Sequence, residues 1–502
     1  MEAPIESSPL HRICNPRSIA VFGASNRYFA MGTTQLSALL DLGFEGAVYP
    51  VHPKEETVLG LPAFHDVRDL PETPDLALII LPTRLVPETL EACGEKGIPR
   101  AIVVSGGFAE LGTEEGRALQ AELRQTAARH GIRFLGPNCI GVVNPHIRLN
   151  TTFFEYTGEP GFIGMVSQSG SFVTQMFDHL GRFGLGFSTG ISVGNEADID
   201  LVDGLEYLAA CPRTRVIGLY IEAIRRGRAF VEAARAVVPH KPVVAYYAGG
   251  SEAGRRAGLS HTGAMAGPDR LYDGVFRQSG VIRADTIEEL FDFCWVLGSS
   301  ARPRGDGAVI QTHSGGPGAA AADACGRAGL RLPSLAPATL ERLAPYVPGT
   351  GSVGNPVDFT FTKNPLDYFS AIPEILLDDP EAAGLLVYFL VPSRAVKRIL
   401  EAMGVPPDRL PEQARKILAE QARTVAELRN RRRAPVIGFS FRTREDPFIR
   451  ALQDLGVPVL PSPERGARAL AALVRYAGYV EKLERPGLEG APVPKALERG
   501  AV

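Results

Sequence analysis

A chain of 502 residues is too long for one hydrophobic core, and two to four domains are expected from length alone. Apolar residues make up 45% and charged residues 22%, the balance of an ordinary soluble globular protein. The net charge of −3, without any basic block, excludes a dedicated nucleic-acid binder, which must neutralise phosphates with clustered Lys and Arg.

Cys14, Cys93, Cys139, Cys211, Cys294 and Cys325 are scattered without CxxC or metal-ligand spacing, so reduced thiols and no metal site are expected. The first ten residues carry acids and prolines but no apolar core, which is not a signal-peptide pattern. No apolar run approaches a membrane span, so a cytoplasmic chain without a membrane partner is expected.

Residues 19–23 (IAVFG) read as a buried strand ending in glycine, followed by Ala24-Ser25-Asn26. Further strands are expected at 47–50, 76–81, 101–105 and 133–135, with helices at 33–42, 85–96 and 114–130 between them. Short apolar strands alternating with helices imply a parallel sheet covered on both faces, hence a Rossmann-like domain over residues 10–150. The dinucleotide fingerprint fails. GxGxxG is absent after the first strand, and Lys54 follows the second strand where a ribose-binding acid belongs. A lysine there suits a phosphate, or is simply a solvated surface residue. The departures favour a phosphorylated nucleotide other than NAD and disfavour a dehydrogenase.

The runs SIAVFGAS, PVHPK, Leu81-Pro82, SGGF at 105–108 and LGPNCIGVVNP at 135–145 resemble the CoA-binding domain of NDP-forming acyl-CoA synthetases, relatives of the succinyl-CoA synthetase alpha subunit. The resemblance implies coenzyme A on this domain. Gly23, Ser25 and Lys54, with Asn26 in the same turn, would handle its phosphates. Pro82 and Asn138 would lie near the adenine or the pantetheine channel.

In the middle third, strand 164–167 turns through Gln168-Ser169-Gly170-Ser171 into a helix. Strand, small polar turn and helix leave free N–H groups and the positive dipole end in one spot, which binds a phosphoryl group. Capping by Ser169 or Ser171 is the plainer alternative. Strands at 190–193, 216–222 and 242–246 follow, with helices at 199–210 and 227–238. Glu222 ends an apolar strand, where ligands of open α/β sheets bind, and a carboxylate there can orient an imidazole. The structural alternative is that it caps a neighbouring helix or pairs with Arg225 or Arg226. His261 lies among small residues in SHTGAMAG, which allow close approach, although a lone histidine is more often structural.

VSQSGSF, SVGNEADID, LYIEAI, SHTGAMAG and VFRQSGVIRADTIEEL also follow the synthetase pattern, over 164–297. By that resemblance His261 is transiently phosphorylated, Glu222 orients it, and Ser169-Gly170-Ser171 anchors the helix that stabilises the phosphoryl group. Asn195 and Glu196 fall on a nearby loop. One departure is plain: where the family carries a basic KAGR-like run, this chain has Tyr246-Tyr247-Ala248-Gly249-Gly250, leaving Arg255 and Arg256 to compensate.

After a Gly/Pro-containing linker at 302–307, strand 308–311 leads into Thr312-His313-Ser314-Gly315-Gly316-Pro317-Gly318 and an Ala-rich helix. Proline is tolerated in a first helical turn. This repeats the corner at 166–172, so Gly315, Gly316 and Gly318 are candidates for a second phosphate-facing helix N-terminus. A Gly-rich packing turn is the alternative. GSVGNPVD at 351–358 resembles the family's NPVD-type segment. The helix at 409–432, laced with Arg and Glu, reads as a solvated face or a partner contact.

The fold class is therefore α/β: an N-terminal Rossmann-like CoA-binding domain (10–150), two flavodoxin-like parallel-sheet domains (151–300 and 305–485) and a flexible tail (486–502). The resemblance implies an alpha-type subunit that interconverts acyl-CoA, phosphate and NDP with carboxylic acid, CoA and NTP. With no GxxxxGK[ST] and no ATP-grasp segment, Mg2+ and the nucleotide are expected on a separate ATP-grasp beta subunit, in a hetero- or homo-oligomer. A non-catalytic CoA-binding sensor or scaffold is the alternative.

Overall fold

The computed structural model describes residues 4–254, 267–360, 364–391 and 393–485. They fall into two compact units, one up to Asp285 and one from Thr286 to Arg485.

The first unit opens with β1 (Ser18–Phe22) and β2 (Ala47–Val51), then a separate hairpin of β3 (Thr57–Val58) and β4 (Leu61–Pro62). β5 (Leu76–Ile79), β6 (Arg100–Val103) and β7 (Arg133–Leu135) complete a parallel sheet of order β2-β1-β5-β6-β7. Every residue of β1 and β5 is buried, as unbroken apolar runs must be when helices cover both faces. The helix Glu114–His130 shows how local chemistry sets the limits. Thr113 accepts the Gly116 N–H at its start, and Gly131 ends it at φ 66.

A second sheet follows in the same unit. It contains β8 (Val142–Asn144), β9 (Leu149–Asn150), β10 (Ile163–Ser167), β11 (Phe187–Ser192), β12 (Val216–Ile221), β13 (Val243–Tyr247) and β14 (Ile282–Ala284). Their order is β14-β13-β12-β10-β11-β8-β9, parallel except for the β8–β9 hairpin, which joins β11 antiparallel. That hairpin comes from the stretch directly after β7, so the chain enters its second sheet before residue 150. The loop after β11 bonds back to the loop after β7: Asn195 N–H to Pro137 O at 2.9 Å and Ala197 N–H to Gly136 O at 3.1 Å. Arg133 pairs with Asp198 across the same seam at 2.9 Å.

The second unit holds β15 (Ala308–Thr312), β16 (Val357–Asp358), β17 (Gly384–Tyr388), β18 (Val436–Phe439) and β19 (Val459–Leu460), parallel in the order β16-β15-β17-β18-β19. The helix Ile287–Ser299 packs here against the helix Pro463–Leu483, and Arg465 clasps Asp292 at 2.6 and 2.7 Å. The helix Leu410–Arg432 buries Leu410, Ala414, Leu418, Ala422 and Val425, so its charged residues flank an apolar stripe that serves the core. Among the described residues no helix is long and apolar enough to cross a membrane, no acidic, His or Cys cluster could hold a metal, and all six cysteines are free and buried.

Candidate functional site

β10 hands over to the helix Gly170–Gly181 through a tight corner. Ser167 Oγ accepts the Ser169 N–H at 3.1 Å and donates to the Ser169 carbonyl at 2.7 Å. Ser169 stands at the N-cap, yet its side chain makes no capping bond. The corner is therefore shaped from behind, by the residue two positions earlier. Gly170 is required by packing, since a Cβ there would lie 2.8 Å from Ile140 Cγ2. Ser171 is exposed on the first turn. The dipole of a twelve-residue helix emerges at this corner.

Glu222 follows the last residue of β12, at the carboxyl edge of the same sheet, and β12 lies next to β10. Its backbone is held by Gln168, whose Oε1 accepts from Glu222 N–H at 2.5 Å and Ala223 N–H at 3.0 Å. Neither neighbouring arginine takes the Glu222 carboxylate as its partner. Arg225 lies 3.3 Å from Glu196, and Arg226 binds Asp200 at 2.5 Å and Asp203 at 3.0 Å. Ser169 and Glu222 both line one cleft of about 810 Å³, together with Tyr220, Tyr246, Tyr247 and Arg283. Tyr246 to Gly250 form part of this wall, so the stretch where a basic KAGR-like run was expected from the resemblance faces the cleft. Arg283, from β14, supplies a cation there, held by Asp269 at 2.6 Å. Tyr247 stacks on Tyr272 at 3.7 Å, which stiffens that wall. His261, Arg255 and Arg256 lie outside the described residues.

The loop after β11 sets a second carboxyl near the corner. Glu196 adopts a left-handed φ of 51 and is buried. Burial pushes its carboxyl up to about 7, although the Leu201 N–H, the Arg225 guanidinium and the Gln168 amide all draw it down. The unfolded chain binds the proton less tightly, so this group costs stability as pH rises from about 4.5 through 7. Above that window the cost is on the order of 3 kcal/mol. Glu196→Gln is expected to stabilise the protein at pH 8 and to flatten the fall in Tm between pH 5 and 8, measured by thermal unfolding across that range. Asn195 is tied elsewhere, donating to Glu110 at 2.5 Å and Gln120 at 3.2 Å.

The remaining candidates of the first unit gather at the carboxyl edge of its first sheet. The strand order reverses between β1 and β5, which opens the crevice where such sheets bind ligands. Gly23 leaves β1 at φ 92, and a Cβ there would sit 1.9 Å from the Ile80 carbonyl oxygen. Gly32 completes the close approach: its Cβ would lie 2.4 Å from Gly23 O. The start of the helix Met31–Asp41, whose N-cap Ala30 offers no side-chain bond, is thereby brought against the turn. Ser25 N–H donates to Thr33 Oγ1 at 3.0 Å, which locks the turn to the helix. Asn26 is spent on structure, bonding Glu55, the Thr57 carbonyl and the Leu59 N–H at 3.1, 2.9 and 3.2 Å. These bonds bring the loop after β2 to the crevice, with Lys54 exposed beside it. Pro82 is exposed after β5, and Asn138 follows the cis Gly136–Pro137 bond at φ 57, its Nδ2 3.3 Å from Asn195 Oδ1.

In the second unit the corner after β15 repeats the device of the first. Thr312 Oγ1 accepts the Ser314 N–H at 3.0 Å and donates to the Ser314 carbonyl at 2.8 Å, leaving the N-cap Ser314 without a capping bond. Gly315 and Gly316 are exposed on the first turn of the helix Gly315–Arg327. Gly318 is a packing glycine, since its Cβ would meet Thr312 Cγ2 at 2.7 Å. The sequence signal for both corners is a hydroxyl two positions before the N-cap serine.

Residues 17–145 match the model of a CoA binding domain, 160–297 that of a succinyl-CoA ligase like flavodoxin domain, and 308–416 that of a Ligase-CoA domain. The fold and these matches define a CoA ligase of the succinyl-CoA-ligase-like class. The chain is 38% identical to the acetate–CoA ligase [ADP-forming] II subunit alpha of Pyrococcus furiosus, over 93% of its own length and 97% of that protein. It is 37% identical to the acetate–CoA ligase [ADP-forming] I of Archaeoglobus fulgidus, a longer protein of which it covers 64%. Among solved structures, it superposes with a TM-score of 0.81 on the dinucleotide forming acetyl-coenzyme A synthetase 1 of Ca. Korarchaeum cryptofilum, in complex with phosphate and ADP. The identity is 32%, over 95% of this chain and 99% of that one. The chain belongs to the NDP-forming acyl-CoA synthetase family, as an alpha-type member.

Proposed function

We propose that this chain carries the CoA-binding and phosphohistidine half of an NDP-forming acyl-CoA synthetase. The observation that carries this reading is the meeting of Glu222 and the uncapped helix N-terminus at Ser169 in one cleft.

Coenzyme A occupies the crevice at Gly23, Ser25, Lys54, Pro82 and Asn138, with its phosphates toward the start of the helix Met31–Asp41. Inorganic phosphate attacks the acyl carbonyl carbon of acyl-CoA. The carbon–sulfur bond breaks, the thiolate takes a proton, and acyl phosphate is left. The neutral imidazole of His261 then attacks phosphorus, and the carboxylate leaves with the electron pair of the broken P–O bond. Glu222 holds the imidazole in its reactive tautomer and offsets the positive charge that develops on the ring. Gly170 and Ser171 present backbone N–H groups to the phosphoryl oxygens. The second unit, taken by itself, carries a helix N-terminus of the same build at Gly315 and Gly316.

The phosphoryl group then passes to a nucleoside diphosphate on an ATP-grasp beta subunit, which also holds Mg2+. The alpha designation of the Pyrococcus furiosus relative supports a partner chain, and the greater length of the Archaeoglobus fulgidus protein is consistent with both halves in one polypeptide. The compartment proposed is the cytoplasm.

The test is phosphorylation of the full-length chain by radiolabelled ATP in the presence of the beta partner. Wild type is expected to take up one acid-labile label per chain and His261→Asn none. A wild-type chain that binds CoA but never labels would leave only a CoA-binding scaffold.

A further inference from the structure

We infer that Gln168 is a positioning residue for phosphoryl transfer, its carboxamide latching the Glu222 corner to the strand that leads into the phosphate-facing helix. This rests on the role of Glu222 proposed above.

Gln168 is buried and directly follows Ser167, the last residue of β10. Its main-chain N–H donates to the Tyr220 carbonyl at 3.2 Å, the final rung between β10 and β12. Beyond that rung β12 ends at Ile221, and the chain bends at Glu222. The carboxamide takes over at that point. Oε1 accepts from both Glu222 N–H and Ala223 N–H, while Nε2 donates to the Ala223 carbonyl at 2.7 Å. Three main-chain groups of the Glu222 corner are thus satisfied by one side chain, and the Cα from which the Glu222 carboxylate departs is fixed by it.

The chemistry of this latch is demanding. It needs an acceptor for two N–H groups and a donor for one carbonyl in a single planar group, which an amide or a protonated carboxyl supplies. Leucine supplies neither function at similar volume. A carboxylate supplies the acceptor, but sets a negative oxygen against the Ala223 carbonyl. The residue before Ser169 therefore does more than connect. It couples the helix that receives phosphate to the carboxylate that orients the histidine.

The experiment uses the full-length chain assembled with its beta partner and radiolabelled ATP, comparing wild type, His261→Asn, Gln168→Leu and Gln168→Glu. Gln168→Leu is expected to label at least roughly tenfold more slowly, with CoA affinity unchanged within about twofold. Gln168→Glu is expected to be slow near pH 8.5 and to recover toward the wild-type rate near pH 6.5, as the buried carboxyl gains the proton that restores the donor. Wild-type labelling rates in both variants would overturn the inference while leaving the phosphohistidine reading intact. So would a deficit in Gln168→Glu that ignores pH, or CoA binding lost in parallel with labelling. Absence of label on wild type would overturn that reading and this inference with it.

Discussion

Glu222→Gln is expected to slow phosphorylation of the chain by roughly two orders of magnitude or more, with thermal stability and CoA affinity close to wild type. The amide keeps the size of the side chain and leaves the Gln168 latch on the main chain untouched, because that latch uses the backbone of Glu222 and Ala223 rather than the carboxylate. On the role proposed for Glu222, what is lost is the charge that fixes the imidazole tautomer and meets the imidazolium as phosphorus is attacked. The loss then belongs in the rate of labelling, not in the half-saturating concentration of CoA, because the crevice proposed for CoA lies on the other sheet of the unit. An amide variant that labels as fast as wild type would remove Glu222 from the chemistry.

Gly23→Ala has the largest effect expected on the fold itself. The added methyl would sit 1.9 Å from the Ile80 carbonyl oxygen, at a φ of 92 that alanine rarely adopts. Neither strand can yield. Ile80 N–H is bonded to the Phe22 carbonyl at 3.0 Å, and Gly23 O is already approached by Gly32. A destabilisation of about 3 kcal/mol or more in urea unfolding is expected, with CoA binding lost at temperatures where the remaining fold persists. Binding that survives while stability falls would separate the packing need for this glycine from any part in holding phosphate.

Much of this architecture was legible in the sequence because its strands are unbroken apolar runs with sharp punctuation. The helix Glu114–His130 and β7 at Arg133–Leu135 were anticipated residue for residue, since Thr113 and Gly131 are strong local stop and start signals. The α/β class and the family were likewise readable, from motifs spread over all three matched segments. Long-range commitments were not. The β8–β9 hairpin looks like a loop in sequence, because strands of three and two residues carry no period and exist only by pairing, β8 with β11 and β9 with β8. Asn26 reads as a ligand-facing turn residue, and only the fold shows its amide consumed by the β3 region. Gln168 carries no signal of its own in the sequence, because the value of its amide depends on a backbone more than fifty residues further along. The role of His261 rests on the motif alone, since the residue lies outside the described ones.

The β8–β9 hairpin carries a practical warning. Family models divide this chain between residues 145 and 160, and that division invites dissection of the protein into a cofactor half and a chemistry half. A cut made there would strip the strand that closes the flank of β11, baring its hydrogen-bonding edge to other chains. Each excised piece would be prone to self-association, and a truncation study would then mistake aggregation for loss of catalytic parts.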